Sequence, residues 1–190
     1  MKLNKNYKIN IDIPKHVKVE KKNKNLIISG TLGSTVINLL KYDILGKGCI
    51  NFSEKKQNFV LCSNNKPFFK CVSKIIKEKI AGVSNGFLLS FRIIGVGYRI
   101  EIQKNRESIA LQNTLLYFKI GFSHDFKYVI PLSVKIFLLE PTLICIYGVD
   151  KNQVTQVAAK IRQIKPPSVY KGKGIKLVNE IITLKQGKRK

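Results

Sequence analysis

VKIFLLEPTLICIYGVDKNQVTQVAAKIRQIKPP, residues 134–167, reads as strand, turn, strand, helix, stop. Val134 and Ile136 alternate as in a half-buried strand, and Leu143 to Tyr147 form the next apolar run. Gly148-Val149-Asp150 then leads into a stripe of Val154, Val157, Ala158 and Ile161, the spacing of one helix face. Asp150, with Gln153 three residues on, has the pattern of a capping box. Pro166 ends the helix, because the residue before a proline is pushed out of the helical region.

Working back along the chain, the same order occurs once more. Ile50 and Phe52 alternate, Phe59 to Cys62 form a second strand, and the polar turn Ser63-Asn64-Asn65-Lys66 opens a helix. Its stripe is Phe69, Val72 and Ile76, widened by Ile75 and Ile80, and Gly82 is its expected stop. The strands correspond at an offset of 84 residues and the helix faces at 85. A second echo, Ile13-Pro14-Lys15-His16-Val17-Lys18-Val19 against Ile130-Pro131-Leu132-Ser133-Val134-Lys135-Ile136, has an offset of 117. Both alignments use Val134, so one duplication cannot explain both. The first keeps element order through the helix and is preferred.

Further strands are expected at 8–13, 17–20, 25–30, 34–39, 87–94, 98–103, 108–112, 115–120 and 126–130. Runs of strands followed by a helix predict an α+β fold of two tandem, similar small domains, each an antiparallel sheet packed with a helix. The expected domains are 1–82 and 83–166, with a basic C-terminal extension at 167–190.

Charge sets the class of partner. The chain has 35 Lys or Arg against 11 Asp or Glu, a formal net charge of +24. Its last forty residues hold eleven cations, Lys151 to Lys190, and one carboxylate, Glu180. Such a surplus opposes compaction by self-repulsion and calls for a polyanion. Nucleic acid fits best, because each Lys or Arg near a phosphate releases counterions. No apolar run of 18 residues exists to span a bilayer, and the tail lacks the broad apolar face of an interfacial helix. The 44% hydrophobic content separates the chain from disordered basic tails.

The strongest binding motif is Tyr170-Lys171-Gly172-Lys173-Gly174, where alternating glycines let a charged backbone approach phosphates and Tyr170 can either stack on a base or pack back on the domain. A solvated tail is the competing reading. It leaves unexplained both the rigid lead-in Pro166-Pro167 and the apolar Ile175, Leu177, Val178, Ile181 and Ile182 that follow. Gly95-Val96-Gly97-Tyr98-Arg99 is either an RNA-facing bend or a bulge needing glycine conformations. Gly30-Thr31-Leu32-Gly33 lies between two strands and reads as a hairpin turn, not an RNA-binding loop between helices. Cys49, Cys62, Cys71 and Cys145 lack metal-ligand spacing and are expected as buried free thiols in a reducing compartment. His16 and His124 stand apart, and the carboxylates are scattered, so neither a catalytic residue nor a metal or cofactor site is expected.

Taken in order, Gly95 to Arg99, Gly121-Phe122-Ser123-His124, Gly148 to Lys151, Ile161-Arg162-Gln163-Ile164-Lys165-Pro166-Pro167 and Tyr170 to Gly174 resemble the ribosomal protein L6 family in its bacterial and organellar form. Ile11-Asp12-Ile13-Pro14 and Gly82-Val83-Ser84-Asn85-Gly86-Phe87 fit the same pattern. The resemblance implies a non-enzymatic constituent of the large ribosomal subunit, active in translation. It further implies binding to large-subunit ribosomal RNA near the sarcin–ricin region and the base of the factor-binding stalk, beside neighbouring ribosomal proteins. Carried onto this chain, the RNA-binding residues are Gly95, Gly97, Tyr98, Arg99, Lys160, Arg162, Lys165, Tyr170, Lys171, Gly172, Lys173, Gly174 and Lys176. A free RNA-processing enzyme and a basic adaptor for an acidic protein are the alternatives. The start of the chain shows no cleavable address, and the abundance of Lys, Asn and Ile matches AT-rich coding. Both point to a mitochondrial ribosome in an organelle that encodes this protein, with a plastid or a bacterial cytoplasm as alternatives.

Overall fold

A computed structural model describes residues 7–22, 25–42, 48–53, 58–63, 66–104 and 114–187. The chain forms two compact units, residues 1–86 with Val149–Lys151, and residues 87–148 with 152–190. The first contains β1 (Tyr7–Asp12), β2 (Lys18–Lys22), β3 (Asn25–Gly30), β4 (Gly33–Asn38), β5 (Gly48–Ser53), β6 (Asn58–Ser63) and helix α1 (Lys66–Ser84). The second contains β7 (Phe87–Ile94), β8 (Arg99–Lys104), β9 (Thr114–Lys119), β10 (Phe126–Val129), β11 (Val134–Glu140), β12 (Leu143–Gly148) and α2 (Lys151–Ile164), then β13 (Gly174–Leu177).

The internal similarity is visible in the sheets. In the first unit the orders are β1-β6-β5 and β2-β3-β4; in the second they are β7-β12-β11, with β13 added beyond β7, and β8-β9-β10. In each unit the strand that precedes the helix is central in its sheet. Every pair is antiparallel. The 84-residue offset therefore matches whole elements, β5 with β11 and β6 with β12. The 117-residue echo does not: it places the β1–β2 connection on the β10–β11 connection. What those two segments share is local, a turn in which Val17 N donates to Pro14 O at 3.0 Å and Val134 N to Pro131 O at 3.1 Å. Beside the sheet that carries the helix, each unit holds another, three-stranded antiparallel sheet.

The helices bury the faces that their periodicity predicts. Val72, Ile76, Ile80 and Val83 of α1 pack with Leu26, Ile28 and Ile37 in the first core. Val154, Val157, Ala158 and Ile161 of α2 pack with Phe91, Phe118, Ile144 and Ile146 in the second. Gly82 does not stop α1. The helix runs to Ser84, since Leu32 N caps the Val83 carbonyl at 3.3 Å and the Thr31 hydroxyl reaches the Ser84 carbonyl at 3.4 Å. The chain turns out at Gly86, whose φ of 74° lets its N–H reach both Ala81 O and Gly82 O. Gly86→Ala is expected to destabilise the first unit by about 1–2 kcal/mol, read in a denaturant titration.

The residues Thr31-Leu32 form the expected hairpin turn, with Gly30 opposite Gly33. A Cβ at Gly30 would stand 2.4 Å from Val83 Cγ1, so the glycine permits this close packing. Cys145 is buried, but Cys71 is exposed on α1, against the expectation of a buried thiol. The side chains of Cys49 and Cys62, the candidate strand 108–112 and the turn residues Asn64-Asn65 lie outside the described residues. Of the segment expected as a basic extension, Gly174–Leu177 join the sheet of the second unit, pairing with β7 from Gly174 opposite Ile94 to Leu177 opposite Phe91.

Candidate RNA-binding surface

Three segments far apart in sequence meet at Lys165. This residue leaves α2 just before Pro166, and its Nζ donates to the Ile120 carbonyl. The ammonium lies 4.8 Å from the centre of the Tyr98 ring and 4.7 Å from that of Phe122. Two aromatic faces and one carbonyl thus hold one cation, an arrangement worth about 0.5–2 kcal/mol per ring depending on desolvation. The glycines around it have defined tasks. A Cβ at Gly95 would lie 2.3 Å from the Tyr98 ring, and one at Gly121, φ 74°, would lie 3.1 Å from the same ring. The ring therefore packs on both glycines. The Gly95–Arg99 bend is a built corner in which Tyr98 N closes on Gly95 O at 3.3 Å.

Beyond the double proline the chain closes into an ordered loop. Gly172 N donates to Ser168 O at 2.8 Å and Ser168 N to Lys173 O at 2.9 Å. The loop is anchored at both ends, by Ile175 N on Lys165 O and by Lys185 N on Val169 O, each at 2.9 Å. Gly172, φ 67°, makes the turn. Gly174 is buried against the prolines, and a Cβ there would meet Pro166 O and Pro167 Cα at 2.7 Å. Tyr170, Lys171 and Lys173 all stand exposed on this loop. Neither lysine has an ion pair among the described residues.

The other expected residues are differently placed. Arg162 of α2 pairs with Glu180, whose second oxygen accepts Leu177 N at 3.3 Å. The one carboxylate of the last forty residues thus ties α2 to the end of β13. Arg99 Nε lies 3.1 Å from Glu101, and Lys119 Nζ lies at the same distance from the same oxygen. The hydrogen bond and charge of Lys119, with a smaller contribution from Arg99, hold the Glu101 carboxyl below the usual carboxylate range. A depressed carboxyl favours the folded state above its ordinary titration range and loses that contribution as pH falls through the depressed value. Lys119→Met should therefore move the Glu101 titration upward, as followed by NMR. Lys160 lines a groove with Tyr128, Val129, Pro131 and Ser133, outside the Lys165 cluster. Gly97, φ 74°, has open space where a Cβ would be. Lys176 is half-buried on β13.

From sequence, Lys165 is expected as one RNA-binding cation among several, and Phe122 carries no expected contact. Nothing local links residues 98, 122 and 165; only the tertiary fold does. Lys165→Met should lower the stability of the second unit by about 1–2 kcal/mol and weaken RNA binding while leaving the salt dependence of binding unchanged. Thermal melting and a salt titration of affinity read the two effects separately. Among the described residues, no group of His, Cys, Asp or Glu is arranged to hold a metal, and no helix is long and apolar enough to cross a membrane.

A basic, internally duplicated α+β chain with cations ordered on a glycine-shaped loop has the build of a structural protein that sits on a polyanion. A family model described as Ribosomal protein L6 matches residues 94–177. The large ribosomal subunit protein uL6m of Prototheca wickerhamii is 44% identical over 184 residues, covering 95% of each chain. The uL6 protein of Chloroherpeton thalassium is 36% identical over 186 residues, again 95% of each. The uL6m protein of Marchantia polymorpha is 48% identical over 104 residues, 55% of this chain and 96% of its own. The chain belongs to the ribosomal protein L6 family. It is a structural constituent of the ribosome that serves translation, and it is not an enzyme.

Proposed function

We propose that the chain binds large-subunit ribosomal RNA near the sarcin–ricin region and the base of the factor-binding stalk, chiefly through its second unit. Residues 167–190 act there as an RNA-binding extension. The observation that carries this reading is the hydrogen-bonded loop Ser168–Lys173, which holds Lys171 and Lys173 exposed and without ion pairs among the described residues. Ordering the backbone that carries two long cations before binding removes part of the entropy cost of the contact. Gly172 keeps the backbone between them open to a phosphate, and Tyr170 offers a stacking face. The Gly95–Arg99 corner, with Lys160 and Arg162, completes the surface, and Lys165 holds its parts in place; Lys176 stands apart, beside Arg92 on the sheet. Phosphate contacts of this kind fix register and do not read sequence.

Neighbouring ribosomal proteins complete its surroundings. The uL6m names of the Prototheca and Marchantia relatives support a mitochondrial ribosome. The Lys, Asn and Ile composition fits a protein made inside that organelle. The test is sedimentation of an extract through a high-salt sucrose gradient. The protein should travel with the large subunit of the mitochondrial fraction and leave it after RNase. Recovery at the top of the gradient would overturn the reading.

A further inference from the structure

The outer face of the four-stranded sheet in the second unit carries apolar side chains, although α2 packs on its other side. Phe91, Ile93, Ile144, Ile146 and Ile175 point inward to the core. The residues between them point out. The register lines them up across the strands: Lys135 by Tyr147 by Leu88, then Phe137 by Cys145 by Ser90, then Glu140 by Leu143 by Arg92 by Lys176. Leu88 is 61% exposed, Phe137 50% and Leu139 68%, and Val178, whose N–H bonds to the Ser90 carbonyl, is 44% exposed. An antiparallel sheet meant for water on one face alternates apolar and polar residues. This one also carries apolar side chains through the middle of its outer face, and its edge strand β11 contributes two exposed ones, Phe137 and Leu139. A contiguous apolar patch rimmed by charge marks a docking surface.

The rim points to the occupant. Lys135 stands at one end of the face, and Arg92 and Lys176 stand at the other, with the carboxylate Glu140 at the β11 end of the same row. A phosphate backbone crossing this face would put its charges over the exposed Phe137 and Leu139 and beside the Glu140 carboxylate. A second copy of a chain carrying a net +24 would bring like charges together. We propose that this face docks a neighbouring protein of the large subunit through an apolar segment with carboxylates on both flanks. Phe137 is the central anchor, as a buried aromatic ring commonly is at protein interfaces. The inference rests on the ribosomal reading above and concerns a surface separate from the Lys171–Lys173 loop.

The test uses full-length protein assembled into large subunits, with a benzophenone-bearing phenylalanine at position 137 and, in a separate preparation, at position 170. Both positions are exposed, so the probe leaves the core intact. The expected result at 137 is an adduct that survives RNase, is lost with protease, and yields a partner peptide with Asp or Glu flanking apolar residues. Lys135→Glu combined with Arg92→Glu should reduce its yield several-fold. The adduct at 170 should be lost with RNase. A probe at 137 that captures ribosomal RNA, captures a peptide without carboxylates, or captures nothing while 170 reacts would overturn the proposal. A protein that never enters the subunit would instead overturn the ribosomal reading, and this inference with it. A probe at Leu139 repeats the test should the 137 variant assemble poorly.

Discussion

Gly174→Ala is expected to cost the second unit about 2–6 kcal/mol and to remove most of its RNA affinity. The added Cβ would lie 2.7 Å from both Pro166 O and Pro167 Cα, closer than van der Waals contact allows. These are backbone atoms of a rigid double proline, so neither can rotate away. The φ of 143° adds strain, because side-chain-bearing residues rarely adopt it. Overpacking costs about 1–3 kcal/mol and a disfavoured backbone conformation about the same again. The chain can relieve both only by lifting β13 from β7. That would release the Ile175–Lys165 hydrogen bond and the loop it anchors. Thermal melting gives the stability loss, and limited proteolysis after Lys171 or Lys173 reports whether the loop has come free. Gly97→Ala is the matched control. Its φ is 74° but the space is open, so the expected cost is about 1–2 kcal/mol from the backbone alone, without the overpacking, and β13 should stay paired with β7.

Reversing Lys171 and Lys173 to Glu should abolish tight RNA binding without changing the melting temperature. Both side chains are exposed and make no ion pair among the described residues, so the fold loses nothing. A charge-assisted contact is worth about 1.5–3 kcal/mol. Losing two therefore weakens binding about 100-fold or more. The logarithmic salt slope should fall by about one per phosphate contact removed, roughly two in all. The pattern differs from Gly174→Ala, which loses stability and affinity together, and from Lys165→Met, which keeps the slope. An affinity loss with an unchanged slope would mean that the two lysines do not meet phosphates.

The helix faces were legible because their stripes are local and regular. Val72, Ile76 and Ile80, and Val154, Val157, Ala158 and Ile161, needed no tertiary information. Gly82 misleads because the glycine stop signal is local, whereas the cap that carries the helix past it, Thr31-Leu32, is supplied from fifty residues upstream. Cys71 misleads for a related reason: it neighbours Val72 in sequence but lies well off the buried stripe of the helix. The motif residues Tyr170 to Gly174 were legible through their alternating Lys and Gly. The lock on them was not, because Lys165, Tyr98 and Phe122 converge from separate elements. The pairing of Arg162 with Glu180 has the same character. The outer sheet face left a trace in the sequence. Phe137-Leu138-Leu139 and Leu143 to Tyr147 are continuous apolar runs, which suit strands covered on both faces better than strands facing water.

The central claim is that an ordered basic loop on the second unit meets ribosomal RNA. Lysine acetylation of the free protein and of the protein in purified large subunits, quantified residue by residue, tests it most directly. Lys171 and Lys173 should react readily in the free protein and be strongly protected in the subunit, with protection lost after RNase. Lys165, caged by two rings and a carbonyl, should react slowly in both states. Equal reactivity of Lys171 and Lys173 in the free and assembled protein would contradict the account.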